Sequence, residues 1–153
     1  MPPADHTPSL VSVQYPVPDF NIRTVGDRKM IWDGIRKKFI PLTSEEWVRQ
    51  NFLQYLIRVK NYPGSLMAIE KEIHLGERKK RCDIVVYQAS VPWMIVECKE
   101  PHVVIDQKTM KQILAYNMAI PAPYLVLTNG DVTYGIHRTG LSWDYITDLP
   151  EYG

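Results

Sequence analysis

Three side chains combine type and spacing in a way that could do chemistry: Asp83 in RCDIVVY, and Glu97 and Lys99 in MIVECKE. Successive side chains of a strand point to opposite faces. If these two segments are neighbouring antiparallel strands, Glu97 and Lys99 share one side and Cys98 takes the other. Asp83, near the start of one strand, then lies beside Glu97, near the end of its partner. Two carboxylates converge with an ammonium next to them. Such a pair is costly unless a proton or cation intervenes. Mg²⁺ answers that need, because it takes one or two carboxylates and fills its remaining positions with water and phosphate oxygens. Lys99 is then placed to orient or deprotonate a metal-bound water and to balance charge on a phosphate. The set suits phosphodiester hydrolysis. Taken by itself, Asp-x13-Glu-x-Lys also fits a plain surface ion pair. The apolar run Met94-Ile95-Val96 leading straight into Glu97 favours the exposed end of a buried strand.

The elements that must position these groups follow from the hydrophobic pattern. Five of the twelve prolines fall in the first 18 residues. Proline fixes φ and lacks a donor, so residues 1–18 read as a Pro-rich arm, with Val11, Val13 and Tyr15 available to pack on the body. Residues 19–42 read as a β appendage. Phe20–Val25 alternates, Gly26-Asp27 offers a turn, and Asp33-Gly34 after Met30-Ile31-Trp32 is a hairpin signal in which both turn residues favour positive φ. Ile35 to Ile40 returns. Residues 43–153 form the main domain. Thr43 or Ser44 caps a helix with Glu45 and Glu46 in its first turn. Val48, Phe52, Tyr55, Leu56 and Val59 supply its apolar face. Leu66–Ile73 is a strand, with Met67, Ile69, Lys71 and Ile73 on one face and Ala68, Glu70, Glu72 and His74 on the other. The loop HLGERKK leads to strand Arg81–Tyr87, which turns through Gln88–Pro92 into Trp93–Lys99. The unbroken run Ile84-Val85-Val86 predicts a strand covered on both faces. Residues 106–119 predict a second helix, Tyr124–Thr128 a buried strand reached by a parallel crossover, Val132–His137 its partner, and Trp143–Ile146 an edge. The fold class is α/β, a mixed sheet between helices.

Composition narrows the function classes. The chain has 153 residues, 45% hydrophobic and 23% charged, with 18 basic and 17 acidic side chains and a net charge of +1. A nucleic-acid partner therefore needs a local basic patch. Arg78-Lys79-Lys80-Arg81 is that patch, just before the Asp83 strand, and Arg49 and Gln50 on the first helix are further candidates for phosphate contact. Two cysteines do not make a disulfide scaffold. Cys82, Cys98, His74 and His102 match no zinc spacing. No apolar run approaches a membrane span and no secretory signal is visible, so the expected setting is cytoplasmic, with no membrane partner.

TSEEWVRQ, IEKEI, RCDIVVY, MIVECKE, QILAYN and YLVLTNG, in this order over about residues 40–138, resemble the N-terminal nuclease domain of type I restriction enzyme R subunits, a branch of the PD-(D/E)xK superfamily. The resemblance implies a restriction-endonuclease-like fold and Mg²⁺-dependent DNA endonuclease activity, with Mn²⁺ as a substitute and 5′-phosphate and 3′-hydroxyl products. It implies Asp83 and Glu97 as metal ligands, Lys99 as the motif lysine, and Gln112 and Tyr116 as the QxxxY element, four apart on one helix face. Glu46 matches the first-helix carboxylate that supports the metal, with Glu45 its close competitor. Cys82 stands where the motif's name has proline. The sequence has no GxxxxGK[ST] loop, so a motor or specificity subunit would be a separate partner. The alternative expectation is an inactive nucleic-acid-binding or assembly module on the same fold.

Overall fold

The computed structural model describes residues 8–153; the part of the arm at 1–7 lies outside the described residues. Residues 8–18 form neither helix nor strand, and they do pack on the body. The Val11 N–H donates to Thr133 O and the Ser12 N–H to Thr147 O, both at 2.8 Å. Val11 is buried, and Val13 and Tyr15 lie against the same core.

Three short strands follow, β1 (Ile22–Val25), β2 (Arg28–Asp33) and β3 (Lys38–Pro41), paired antiparallel in that order. The turn between β2 and β3 differs from the expected two-residue hairpin. Gly34 keeps a negative φ, and the residue with positive φ is Lys37, at 59°. The cause is Asp33. Its Oδ1 accepts the N–H groups of Ile35 and Arg36 at 2.8 and 2.7 Å, which folds residues 34–37 into a longer turn of the side-chain-capped kind.

Helix α1 (Ser44–Arg58) begins at Thr43, whose Oγ1 accepts the Glu46 N–H at 3.0 Å. Val48, Phe52, Tyr55 and Leu56 are buried as expected, whereas Val59 is exposed at the C-cap. A short 3₁₀ turn at 64–66 leads into β4 (Met67–Leu75), β5 (Arg78–Gln88) and β6 (Val91–Cys98). Helix α2 (Gln107–Asn117), capped by the Asp106 carboxylate, is followed by β7 (Tyr124–Thr128), β8 (Thr133–Thr139) and β9 (Ser142–Ile146). These strands make one six-stranded sheet in sequence order. Only β6 and β7 are parallel, and α2 is their crossover. The class is mixed α/β: two helices, an N-terminal three-stranded antiparallel sheet and a six-stranded mixed sheet.

The large sheet separates two cores. One packs Val48, Phe52, Leu53 and Leu56 of α1 on Ile84, Val86, Met94 and Val96. The other packs Met110 and Leu114 of α2 on Val85, Ile95, Leu125 and Leu127. Each strand of the centre thus feeds both cores by alternation, which is why Ile84-Val85-Val86 has no polar break.

Two expectations fail along β4 and β5. HLGERKK is not a loop: Gly76, at φ +67°, and Glu77 make a tight turn, and Arg78–Arg81 lie on the strand. Nor does β4 keep one face. Met67 and Ile69 reach the α1 core, but Ile73 and Leu75 reach the α2 core. On β5, Cys82 belongs to the α2 core and Ile84 to the α1 core. The alternation switches at Glu70 and Asp83. Ile69 pairs with Ile84 and Lys71 with Cys82, without a Glu70–Asp83 pair between them. Glu70 has φ +52°, a left-handed conformation that costs an L-residue about 1–2 kcal/mol.

Candidate active site

Asp83 sits where that switch occurs, one step beyond the Ile84–Val96 pair that ends the β5–β6 ladder. Its Oδ2 accepts the Cys98 N–H at 2.8 Å, so the carboxylate rests against the backbone immediately after Glu97. Its Oδ1 accepts from Arg49 Nη2 at 2.9 Å on the α1 side. Glu97 turns toward α2. Lys99 Nζ stands 3.6 Å from its Oε1 and Lys80 Nζ 3.8 Å from its Oε2. Burial pushes the Glu97 carboxyl above its ordinary value, and the negative Asp83 pushes it further; Lys80 and Lys99 oppose the shift without cancelling it. Glu97 Oε2 is buried and accepts no hydrogen bond. Glu97 and Lys99 therefore stand together on the α2 side, while the Asp83 carboxylate, whose charge acts on Glu97, is bonded on the α1 side.

Glu46 lies in a different environment. Its Oε1 accepts from Arg49 Nη1 at 2.5 Å and from Arg36 Nη2 at 3.0 Å; its Oε2 accepts from Arg36 Nη2 at 2.9 Å and Gln50 Nε2 at 3.1 Å. Asp33, wholly buried, accepts from Arg36 Nε at 2.6 Å and from Gln50 Nε2 at 3.0 Å. Burial pushes the Asp33 carboxyl up, and the hydrogen bonds from Arg36 outweigh that and hold it below its usual value. Arg36 Nη1 also donates to Glu70 at 2.9 Å. Arg49, 4% exposed, gives its remaining Nη2 donor to Glu45 at 3.0 Å. The helix carboxylate nearer the open end is Glu45. Its carboxyl is pushed up by burial and by Asp83, and drawn down by Arg49 and Lys99.

The strand conformation divides the basic run. Lys80 Nζ lies 4.5 Å from the Tyr116 ring centroid and the Arg78 guanidinium 5.9 Å from it. Lys79 and Arg81 go to the other face, near Glu72 and Glu70 at 3.9 and 3.4 Å. Gln112 and Tyr116 are exposed on α2, and Tyr116 reaches the site through Lys80. Reading Arg78–Arg81 as strand would have revealed the place of Lys80, since alternation puts it on the Cys82 face. Arg36 carried no such signal, because Asp33-Gly34 looks like any polar turn.

Residues 44–150 match the family model of the type I restriction enzyme R protein N terminus. The chain belongs to that family. No match was found among curated proteins. The R protein N-terminal segment thus holds α1, the whole six-stranded sheet and α2, while β1–β3 and Arg36 lie upstream of it. Among the described residues, no group of three or more His, Cys, Asp or Glu side chains stands close enough to hold a metal ion. A carboxylate pair is enough for Mg²⁺, which completes its shell with water and phosphate. In this R protein N terminus, Glu97 Oε2 is an orphaned buried acceptor on a carboxyl that feels the Asp83 charge, a donor of the type such an ion takes. A groove of about 700 Å³ between β2 and α1 is lined by none of Asp83, Glu97 and Lys99. Among the described residues no helix is long and apolar enough to cross a membrane, which says nothing of strands.

Proposed function

We propose that the chain is a Mg²⁺-dependent DNA endonuclease of PD-(D/E)xK type, with Mn²⁺ as a substitute. The observation that carries this reading is Glu97, whose buried Oε2 accepts no hydrogen bond, with Lys80 facing Oε2, Lys99 facing Oε1 and the Asp83 charge acting on the carboxyl. Asp83 and Glu97 would hold the ion, with Glu45 the helix carboxylate at the margin and Glu46 behind it. The ion would supply Lewis acidity and lower the pKa of a bound water. Lys99 would donate to the attacking water to orient it and balance charge on the phosphate. Lys80, fixed between Glu97 and the Tyr116 face, offers positive charge to the phosphate. Gln112 and Arg78 are exposed on the α2 face beside Tyr116, where a phosphate backbone would meet them, and Lys79 and Arg81 are exposed on the other face. Arg49 is spent on carboxylates and acts from within.

The test is plasmid relaxation with Mg²⁺ or Mn²⁺ by the intact protein, by Asp83→Asn and by Lys99→Ala. Relaxation that both changes reduce by about 100-fold or more supports the reading; a single general acid–base group alone contributes about 10²–10⁴. Relaxation by wild type that neither change affects overturns it. A second reading, an inactive module that binds DNA or assembles with motor or specificity subunits, draws on one observation: both Asp83 oxygens already accept hydrogen bonds within the chain. Binding without relaxation selects it.

A further inference from the structure

We infer that Arg36, in the turn between β2 and β3, is a positioning residue for this site, fixing the Asp83 carboxylate through Glu46 and Arg49. The inference rests on the nuclease reading for its consequence in metal binding and deepens it. The chain of contacts is continuous, buried at Asp33, Glu46, Gln50 and Arg49 and half-buried at its ends, Arg36 and Asp83. Asp33, itself held by Gln50, aims the Arg36 guanidinium at both Glu46 oxygens. Gln50 also occupies Glu46 Oε2, which leaves Oε1 for a single Arg49 nitrogen. The other terminal nitrogen of Arg49 is thereby directed at Asp83 and Glu45.

A guanidinium facing a lone carboxylate prefers the two-pronged, fork-to-fork pairing. Without Arg36, Glu46 keeps only the Gln50 bond on Oε2 and has an open lone pair on each oxygen for that pairing. Arg49 would then close both nitrogens on Glu46 and withdraw from Asp83, leaving that carboxylate held by the Cys98 N–H alone. The N-terminal sheet, although upstream of the family match, thus supplies the group that keeps Arg49 divided.

Charge and position predict opposite signs for metal binding. Removing a cation near the site tightens a divalent ion by charge alone, whereas releasing Asp83 weakens it. Calorimetric Mn²⁺ titration of the full chain distinguishes them. Arg36→Ala is expected to weaken Mn²⁺ about tenfold, Arg36→Lys to recover part of that loss, and Lys29→Ala, exposed in the same small sheet, to bind like wild type. The link itself is read without metal. Thermal denaturation in chelator of Arg36→Ala, Asp83→Asn and the double variant should give losses in melting temperature that do not add. Additive losses, or unchanged or tighter Mn²⁺ binding in Arg36→Ala, overturn the inference. The cycle judges the link whether or not metal binds, so a wild type that takes up no Mn²⁺ counts against the nuclease reading separately.

Discussion

Two charged clusters meet at Asp83, and they are built differently. On the α1 side, Asp33, Arg36, Glu46, Gln50 and Arg49 are almost wholly buried and joined by hydrogen bonds of 2.5–3.1 Å, with every oxygen of Asp33 and Glu46 accepting two. On the α2 side, Glu97, Lys80 and Lys99 stand 3.6–3.8 Å apart, and Glu97 Oε2 accepts nothing. The first cluster comes close to the condition under which buried ions are tolerated, with every carboxylate oxygen compensated and only Arg49 Nε left without an acceptor. The second does not: burial first, and then the Asp83 charge, push the Glu97 carboxyl above its ordinary value against the pull of Lys80 and Lys99. The four oxygens of Asp33 and Glu46 are thus fully used within the chain, whereas Glu97 keeps an open acceptor.

That contrast can be broken most forcefully at Glu46. Glu46→Ala takes the shared carboxylate from two guanidiniums that keep Asp33, Glu70, Glu45 and Asp83, and should cost about 3 kcal/mol, the low end for breaking a buried pair, whereas Glu97→Ala should cost far less, as read by urea denaturation. Equal losses would erase the distinction. Next in size is Lys80→Ala, which removes the cation between Glu97 and Tyr116. DNA relaxation should fall about tenfold, equivalent to about 1.4 kcal/mol in the barrier, with little loss of stability; an unaltered rate would make Lys80 a surface charge. A smaller effect with a definite pH signature is expected for Glu97→Gln. The raised Glu97 pKa means the folded state holds its proton more tightly than the unfolded state. Its contribution is therefore favourable below the ordinary carboxylate pKa and is lost as pH rises through the folded value. The Gln variant should melt a few degrees above wild type near pH 7–8, and the gain should fade toward pH 4. A gain independent of pH would point to packing instead. Smallest is Arg81→Ala, whose guanidinium is 69% exposed and 3.4 Å from Glu70. The change should stay within about 0.5 kcal/mol, because Glu70 keeps its hydrogen bond from Arg36.

Much of this arrangement was legible in the sequence. The Thr43 cap, the helical spacing of Val48, Phe52 and Leu56, and the unbroken Ile84-Val85-Val86 run fixed α1 and the central strand, because local propensity and burial pointed the same way. Alternation put Glu97 and Lys99 on one side, but it could not say which way the Asp83 carboxylate turns, because the faces exchange at that residue. What escaped had non-local causes. Asp33-Gly34 carries a hairpin signature, but the Asp33 carboxylate is committed to Arg36 and Gln50, and that side-chain bonding sets the turn. Ala89 and Ser90 both adopt positive φ in the β5–β6 turn, where neither residue type announces it. The basic run read as a loop because charge suggests solvent, yet on a strand only alternate members face outward together. The exchange of faces at Glu70 and Asp83 has no compositional mark at all, since Glu70 takes a left-handed conformation that glycine or asparagine would normally signal.

That exchange of faces carries a consequence for how the domain can change. Asp83 stands on a seam between two interiors that share a sheet but not a packing solution. Substitutions that reshape the α2 interior reach it through Lys80 and Glu97, and those that reshape the α1 interior reach it through Arg49. The two halves of the surroundings can drift separately, each altering one flank of the same carboxylate while its opposite flank stays put.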